Sequence, residues 1–177
     1  MRLHLLAAAA AVALAACATT PVASSGPGQL QAGGPVSVSW SDPAGFSEIT
    51  RGRDRIDTLR GTWVRDLAAH LRDSAAGRLG PGEQLEVELL DVDRAGDYEP
   101  WRGPNADDIR ILRDIYPPRI TLRFRHLGAQ GQVLAEGERR LSDSGFMSRT
   151  PAFRNNDPLR YEKQLLDDWL GRELGRR

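Results

Sequence analysis

One cysteine, one lysine and three histidines among 177 residues leave this chain short of the side chains on which most metal and nucleophilic chemistry is built. A lone cysteine, Cys17, excludes an internal disulfide framework. Net charge is missing too, because 24 lysines and arginines balance 24 aspartates and glutamates. No overall field therefore draws the chain to nucleic acid or to anionic lipid. The only lysine is Lys163, so nearly every basic group is an arginine. His70 and His126 have no neighbour at metal-ligand spacing. A Gly-x-Ser-x-Gly elbow is absent, and Ser142-Asp143-Ser144-Gly145 has no histidine close to it in sequence. Gly26 and Gly28 precede any strand, which disqualifies them as a phosphate cradle. These absences point away from catalysis, and the expected cofactors and metals are none.

What is present begins at the N-terminus. Arg2 is followed by an apolar stretch, residues 5–16, that closes on Leu14-Ala15-Ala16-Cys17. A basic start, a dozen apolar residues and small residues at a cut make a secretory signal. The stretch is too short to span a bilayer, which takes about 20 residues. Leu-Ala-Ala-Cys resembles the bacterial lipobox, which implies that Cys17 takes a diacylglycerol and becomes the first residue after cleavage. The alternative is a free thiol behind an ordinary signal peptide, but an unpaired cysteine in an exported chain calls for a partner or a modification. Ala18 and Thr19 lack the aspartate that holds such lipoproteins in the inner membrane. That resemblance implies an anchor on the periplasmic face of the outer membrane.

Three stretches are expected: a lipoprotein signal peptide over residues 1–16, the lipidated Cys17 with a flexible tether over 17–35, and one domain over 36–177. The tether is rich in Gly, Pro, Ser and Ala, with only Val22 and Leu30 able to support a core, so it should stay disordered. As a coil its ends lie roughly 20–25 Å apart. The domain is large enough to bury about two thirds of its unfolded surface without staples.

Within the domain the apolar period changes along the chain. Val36, Val38 and Trp40 alternate with serines, the mark of a half-buried strand, and Asp42-Pro43-Ala44-Gly45 supplies turn chemistry. Ile56, Leu59, Trp63, Leu67 and Leu71 recur at steps of three and four, predicting a helix over about 55–79 that Gly80-Pro81-Gly82 stops. Leu85, Val87 and Leu89 predict a second strand running on to Asp93. A polar stretch, 94–108, is too long for an ordinary turn, and 109–115 reads equally as strand or helical turn. Pro117 and Pro118 precede a third strand whose buried face is Ile120, Leu122 and Phe124. Gly128-Ala129-Gln130-Gly131 reads as a hairpin loop, and Val133, Ala135 and Gly137 start the return strand. A turn centred between Ala129 and Gln130 would set Arg123 opposite Glu136. Asp157-Pro158 opens a last helix with an apolar stripe of Leu159, Leu166, Trp169, Leu170 and Leu174. The fold expected is α+β, a small mostly antiparallel sheet with two helices packed on one face.

The polar clusters are mostly structural in this reading. Asp91-Val92-Asp93-Arg94-Ala95-Gly96-Asp97 starts like a calcium loop, but its fifth position is Ala95 and its twelfth is Arg102. Asp91, Asp93 or Asp97 in pairs have a geometry suited to acid–base work on a sugar, although carboxylates capping a strand end describe them more simply. Trp63, Trp169 and Trp40 fall on apolar stripes or strands. Trp101 does not, because Pro100-Trp101-Arg102-Gly103-Pro104 lies in the long polar loop. It reads either as a lid folded on the core or as a partner contact, since Trp and Arg are enriched at hot spots. Candidate partner-binding residues are Trp101, Arg102, Asp97 and Glu99, and the lipidation site is Cys17.

Asp91-x-Asp93-x-Ala95-Gly96, Ile109-Arg110, Pro117-Pro118-Arg119, Gly131-x-Val133-Leu134 and Glu162-Lys163-x5-Trp169 together resemble the spaced signature of a proteobacterial family of exported proteins and lipoproteins, catalogued as a domain of unknown function. The resemblance covers about 36–174. It implies a fold and an envelope location, and it transfers no catalytic residue. The function expected is a non-enzymatic binding module tethered to the membrane through Cys17, contacting an envelope protein or polymer and no nucleic acid. The alternative is an envelope glycan hydrolase using paired aspartates.

Overall fold

The computed structural model describes residues 26–31, 33–51, 62–103, 109–148 and 156–175. Ten regular elements lie among them: β1 (Gly28–Gln29), β2 (Val36–Trp40), α1 (Ser47–Arg51), α2 (Trp63–Ala76), β3 (Gln84–Asp93), β4 (Asp97–Tyr98), β5 (Arg110–Ile111), β6 (Arg119–Leu127), β7 (Val133–Ser142) and α3 (Arg160–Glu173). The main sheet has the order β1-β2-β3-β6-β7, and β4 and β5 form a separate two-stranded ribbon. β2 and β3 are parallel, and the connection between them contains α1 and α2, as a parallel pair requires a crossover. The other ladders of the sheet are antiparallel.

Strand alternation decides which face is buried. Val36, Val38 and Trp40, then Leu85, Val87 and Leu89, then Ile120, Leu122 and Phe124 all point into one core. Their neighbours Ser37, Glu86, Arg123 and Arg125 face solvent. The core face is covered by α2 through Trp63, Val64, Leu67, Ala68, Leu71 and Ala75, and by α3 through Leu165, Leu166, Trp169 and Leu170. Trp169 meets Phe124 edge to face, with ring centroids 5.6 Å apart at 73°. Each fully buried leucine here contributes roughly 1.5–3 kcal/mol of apolar transfer. This is the expected α+β arrangement.

Four details differ from the sequence reading. First, the segment expected to be a disordered tether is partly structured. Gly28–Gln29 pairs with β2, Leu30 N–H donates to Val38 O at 3.0 Å, and Leu30 packs against the core. Glycine permits this, because a Cβ on Gly28 would lie 2.6 Å from the Trp40 ring. Second, α1 was not foreseen; it brings Ile49 and Glu48 inside. Third, α2 begins at Trp63, whereas Ile56 and Leu59 lie outside the described residues. Fourth, the β6–β7 register is displaced. Leu127 pairs with Val133 but His126 with Ala135, so Leu134 is an extra residue. Arg123 therefore faces Glu138, and Glu136 faces Arg125. The loop centres on Gln130, which accounts for one residue of the displacement, and the bulge moves every later pair by one more.

Candidate functional site

The long connection between β3 and β6 forms a lobe at one end of the sheet, and buried carboxyls hold it there. Arg94 N–H donates to Glu48 Oε2 at 2.9 Å, and Ala95 N–H donates to Glu162 Oε1 at 2.7 Å. Gly96 N–H donates to Tyr116 O at 2.9 Å. The Arg110 guanidinium returns from β5 to donate to the carbonyls of Ala95 and Gly96 at 3.1 and 3.0 Å, and also to Glu48. Three consecutive amides and two of their carbonyls are thus satisfied by groups distant in sequence, as buried backbone requires. Gly96 is needed for two reasons. Its φ is +84°, and a Cβ there would lie 2.8 Å from Ile111 O.

Most residues of the quoted signature meet around this turn, whereas Gly131, Val133 and Leu134 lie at the opposite end of the sheet, by the β6–β7 hairpin. Asp91 accepts Ser47 N–H and Ser47 Oγ–H at 2.6 and 2.8 Å. Asp93 pairs with Arg119 at 3.0 Å directly across the β3–β6 ladder and with Arg51 at 3.8 Å. Lys163 holds Asp157 at 2.8 Å at the start of α3. Their work, as placed, is to join α1, β3, β6 and α3. A cleft of about 190 Å³ remains between them, lined by Arg51, Asp93, Asp97, Tyr98, Arg110 and Arg119 among others.

Further along the lobe, Glu99 is wholly removed from solvent. Arg113 donates to its Oε1 at 2.7 Å, Tyr116 donates to the same oxygen at 3.1 Å, and Arg102 pairs with Oε2. The Arg113 hydrogen bond holds the Glu99 carboxyl below the usual carboxylate range. Burial, with Glu99 alongside, pushes the Tyr116 phenol up. Glu99 is therefore an internal anchor and not a surface contact, which corrects its place among the candidate partner-binding residues. The two guanidiniums stand against the two oxygens of the buried carboxylate, Arg113 hydrogen-bonded to Oε1 and Arg102 paired with Oε2.

Trp101 sits on the short turn Pro100–Arg102 that Glu99 pins, and it is 71% exposed. It does not fold back as a lid on the core. Ile109 and Ile115 are also exposed. Ile109 adjoins β5 beside Arg110, and Ile115 lies in the chain between Arg113 and Tyr116, the two residues that donate to Glu99. Arg102 is about half exposed, and Asp97 is exposed with its carboxylate on Tyr98 N–H at 2.7 Å. Cys17 lies outside the described residues.

One constellation was not seen in the sequence. His70 of α2 approaches Asp167 of α3 at 3.1 Å, and Ser74 lies 3.4 Å from the same His70 Nε2. A nucleophilic triad needs the serine on one ring nitrogen and the acid on the other. Here both lie on one nitrogen, so the group ties the two helices together. His126 similarly meets Glu83 at 3.3 Å. Among the described residues, no three His, Cys, Asp or Glu side chains are gathered to hold a metal ion. No helix among them is long and apolar enough to cross a membrane.

The buried glutamates were also missed. Glu162 had a sequence signal, since it falls between Leu159 and Leu166 on the apolar stripe of α3, where a charge is out of place. Glu48 had none, because α1 is a single short turn whose sequence shows no period.

Neither a curated protein nor a solved structure is similar enough to this chain to match it. A family model does match, over residues 34–172, which takes in the sheet from β2 onward, the lobe and, but for Glu173, the helices among the described residues. The chain belongs to the family of proteins of unknown function DUF3016.

Proposed function

We propose that the protein is a lipid-anchored module of the bacterial cell envelope, held through Cys17 at the periplasmic face of the outer membrane, that binds an envelope protein or polymer without catalysing a reaction. Trp101 is the centre of the contact. The observation that carries this reading is its exposure on a turn fixed from beneath by Glu99, Arg102 and Arg113. A turn already held in place loses little backbone entropy when its aromatic docks, which favours a hot spot. The state of the acids supports the absence of catalysis. Asp91 and Asp93 are engaged by Ser47, Arg51 and Arg119, and Glu162, the carboxyl that burial pushes up, is closed off from solvent.

The anchor is tested by mass spectrometry and membrane fractionation. Acyl chains on Cys17 and release of Cys17→Ser from membranes are expected; an unacylated, wholly soluble wild-type protein refutes the anchor. The binding role is tested by site-specific photocrosslinking from the 100–102 turn in intact cells. A discrete adduct lost in Trp101→Ala is expected. Hydrolysis of isolated envelope glycan by the purified domain, abolished in Asp91→Asn or Asp93→Asn, would establish the hydrolase reading instead.

A further inference from the structure

Glu162 is 1% exposed, and its two carboxyl oxygens are unequally served. Oε1 accepts the Ala95 amide at 2.7 Å, whereas Oε2 is buried with no hydrogen-bond partner among the described residues. The adjacent amide, of Arg94, is taken by a second buried carboxyl, Glu48. Nearby positive charge is committed to Glu48: Arg110 donates to its Oε1, and Arg94 Nη1 lies 3.9 Å from the same atom. The Arg94 guanidinium also lies over the Trp63 ring of α2, its Nη2 reaches Pro158 O at 3.2 Å, and its Nε is buried with no hydrogen-bond partner among the described residues. On α3 itself, Lys163 is held by Asp157. From α2, His70 is engaged by Asp167. Glu162 thus faces one like charge, Glu48, and one cation, Arg94, that Glu48 shares.

Burial disfavours the charged form of a carboxyl that has to share its one cation with a second carboxylate. We propose that Glu162 is a proton-gated anchor: protonated, it holds the turn at residues 94–96 against α3, and its ionisation releases that turn together with the β4–β5 ribbon. The burial of this carboxyl raises its pKa, in keeping with that assignment. The sign follows from linkage. The docked turn binds the proton more tightly than the released turn, so docking is complete below the ordinary carboxylate pKa. It weakens as pH rises through the raised value, by about tenfold per pH unit once the released form is ionised and the docked form is not. This inference is independent of the reading of Trp101 as a partner contact.

Amide hydrogen exchange of the full chain tests it, corrected for intrinsic rates and followed from about pH 5 to about pH 9. Protection at Ala95 and Gly96 is expected to fall with pH in the wild type while the β6 amides keep theirs. In Glu162→Gln, which keeps the acceptor for Ala95 and cannot ionise, protection is expected to stay high and flat. Constant protection in the wild type, or the same fall in Glu162→Gln, overturns the proposal. Should that variant not fold, the carboxyl carbon shift of Glu162 in the wild type decides. Titration above the ordinary carboxylate range supports the anchor, and titration within that range overturns it.

Discussion

Arg113 reaches the buried carboxylate of Glu99 at 2.7 Å across the lobe, and through that contact the turn bearing Trp101 is held in place. Glu99 has a lowered pKa in the folded state, chiefly because of this hydrogen bond. Its contribution to stability is therefore fully present above the unfolded value, about 4.3, and is lost as pH falls through the folded one. Glu99→Gln should melt below the wild type at neutral pH, with the gap closing in acid below about pH 4. Thermal melts of both proteins across pH check this; a gap that widens in acid is inconsistent with the pair.

Exposure separates two tryptophans. Trp101→Ala should change stability by no more than about 0.5 kcal/mol, as exposed substitutions do. Trp169→Ala removes a ring packed against Phe124 and should cost about 3–5 kcal/mol. Urea titrations give both values. Unfolding of the Trp101 variant would show that this residue stabilises the fold.

The sheet register is open to a double-mutant cycle. Arg123 pairs with Glu88 at 2.9 Å, and Arg125 approaches Glu136 at 3.8 Å. Both are exposed pairs, so coupling energies below about 1 kcal/mol are expected. Arg123 and Glu136 should show none. Measurable coupling there would restore the register expected from a turn between Ala129 and Gln130.

Gly96→Ala should destabilise by more than about 1 kcal/mol, since it combines an unfavourable positive φ with a close approach to Ile111 O. Gly131 also has a positive φ, but its Cβ direction is open. Gly131→Ala should therefore be milder, and comparison of the two melts separates crowding from backbone strain.

Local pattern explains most of what the sequence made legible. Val36, Val38 and Trp40, Leu85 to Leu89, and Ile120 to Phe124 show a period of two. The stripes through Leu67 and Leu166 show steps of three and four. Each is set by the geometry of one element, so alternation and turn residues were sufficient to read it. The exposure of Trp101 could not be decided from sequence, because a loop has no period that says which side is covered.

The sequence by itself determined the four longer strands, the two long helices, the buried face of β2, β3, β6 and of each helix, the absence of a disulfide framework and the balance of charge. Tertiary structure alone decided the bulge at Leu134, the pairing of Gly28 with Trp40, the burial of Glu48 and Glu99, and the amide that Glu162 meets. The physical reason is distance along the chain. Glu162 meets an amide 67 residues away, and Glu48 one 46 residues away. Whether a carboxylate is a solvated surface charge or a buried anchor depends on which donors the fold brings to it, and no local period records that.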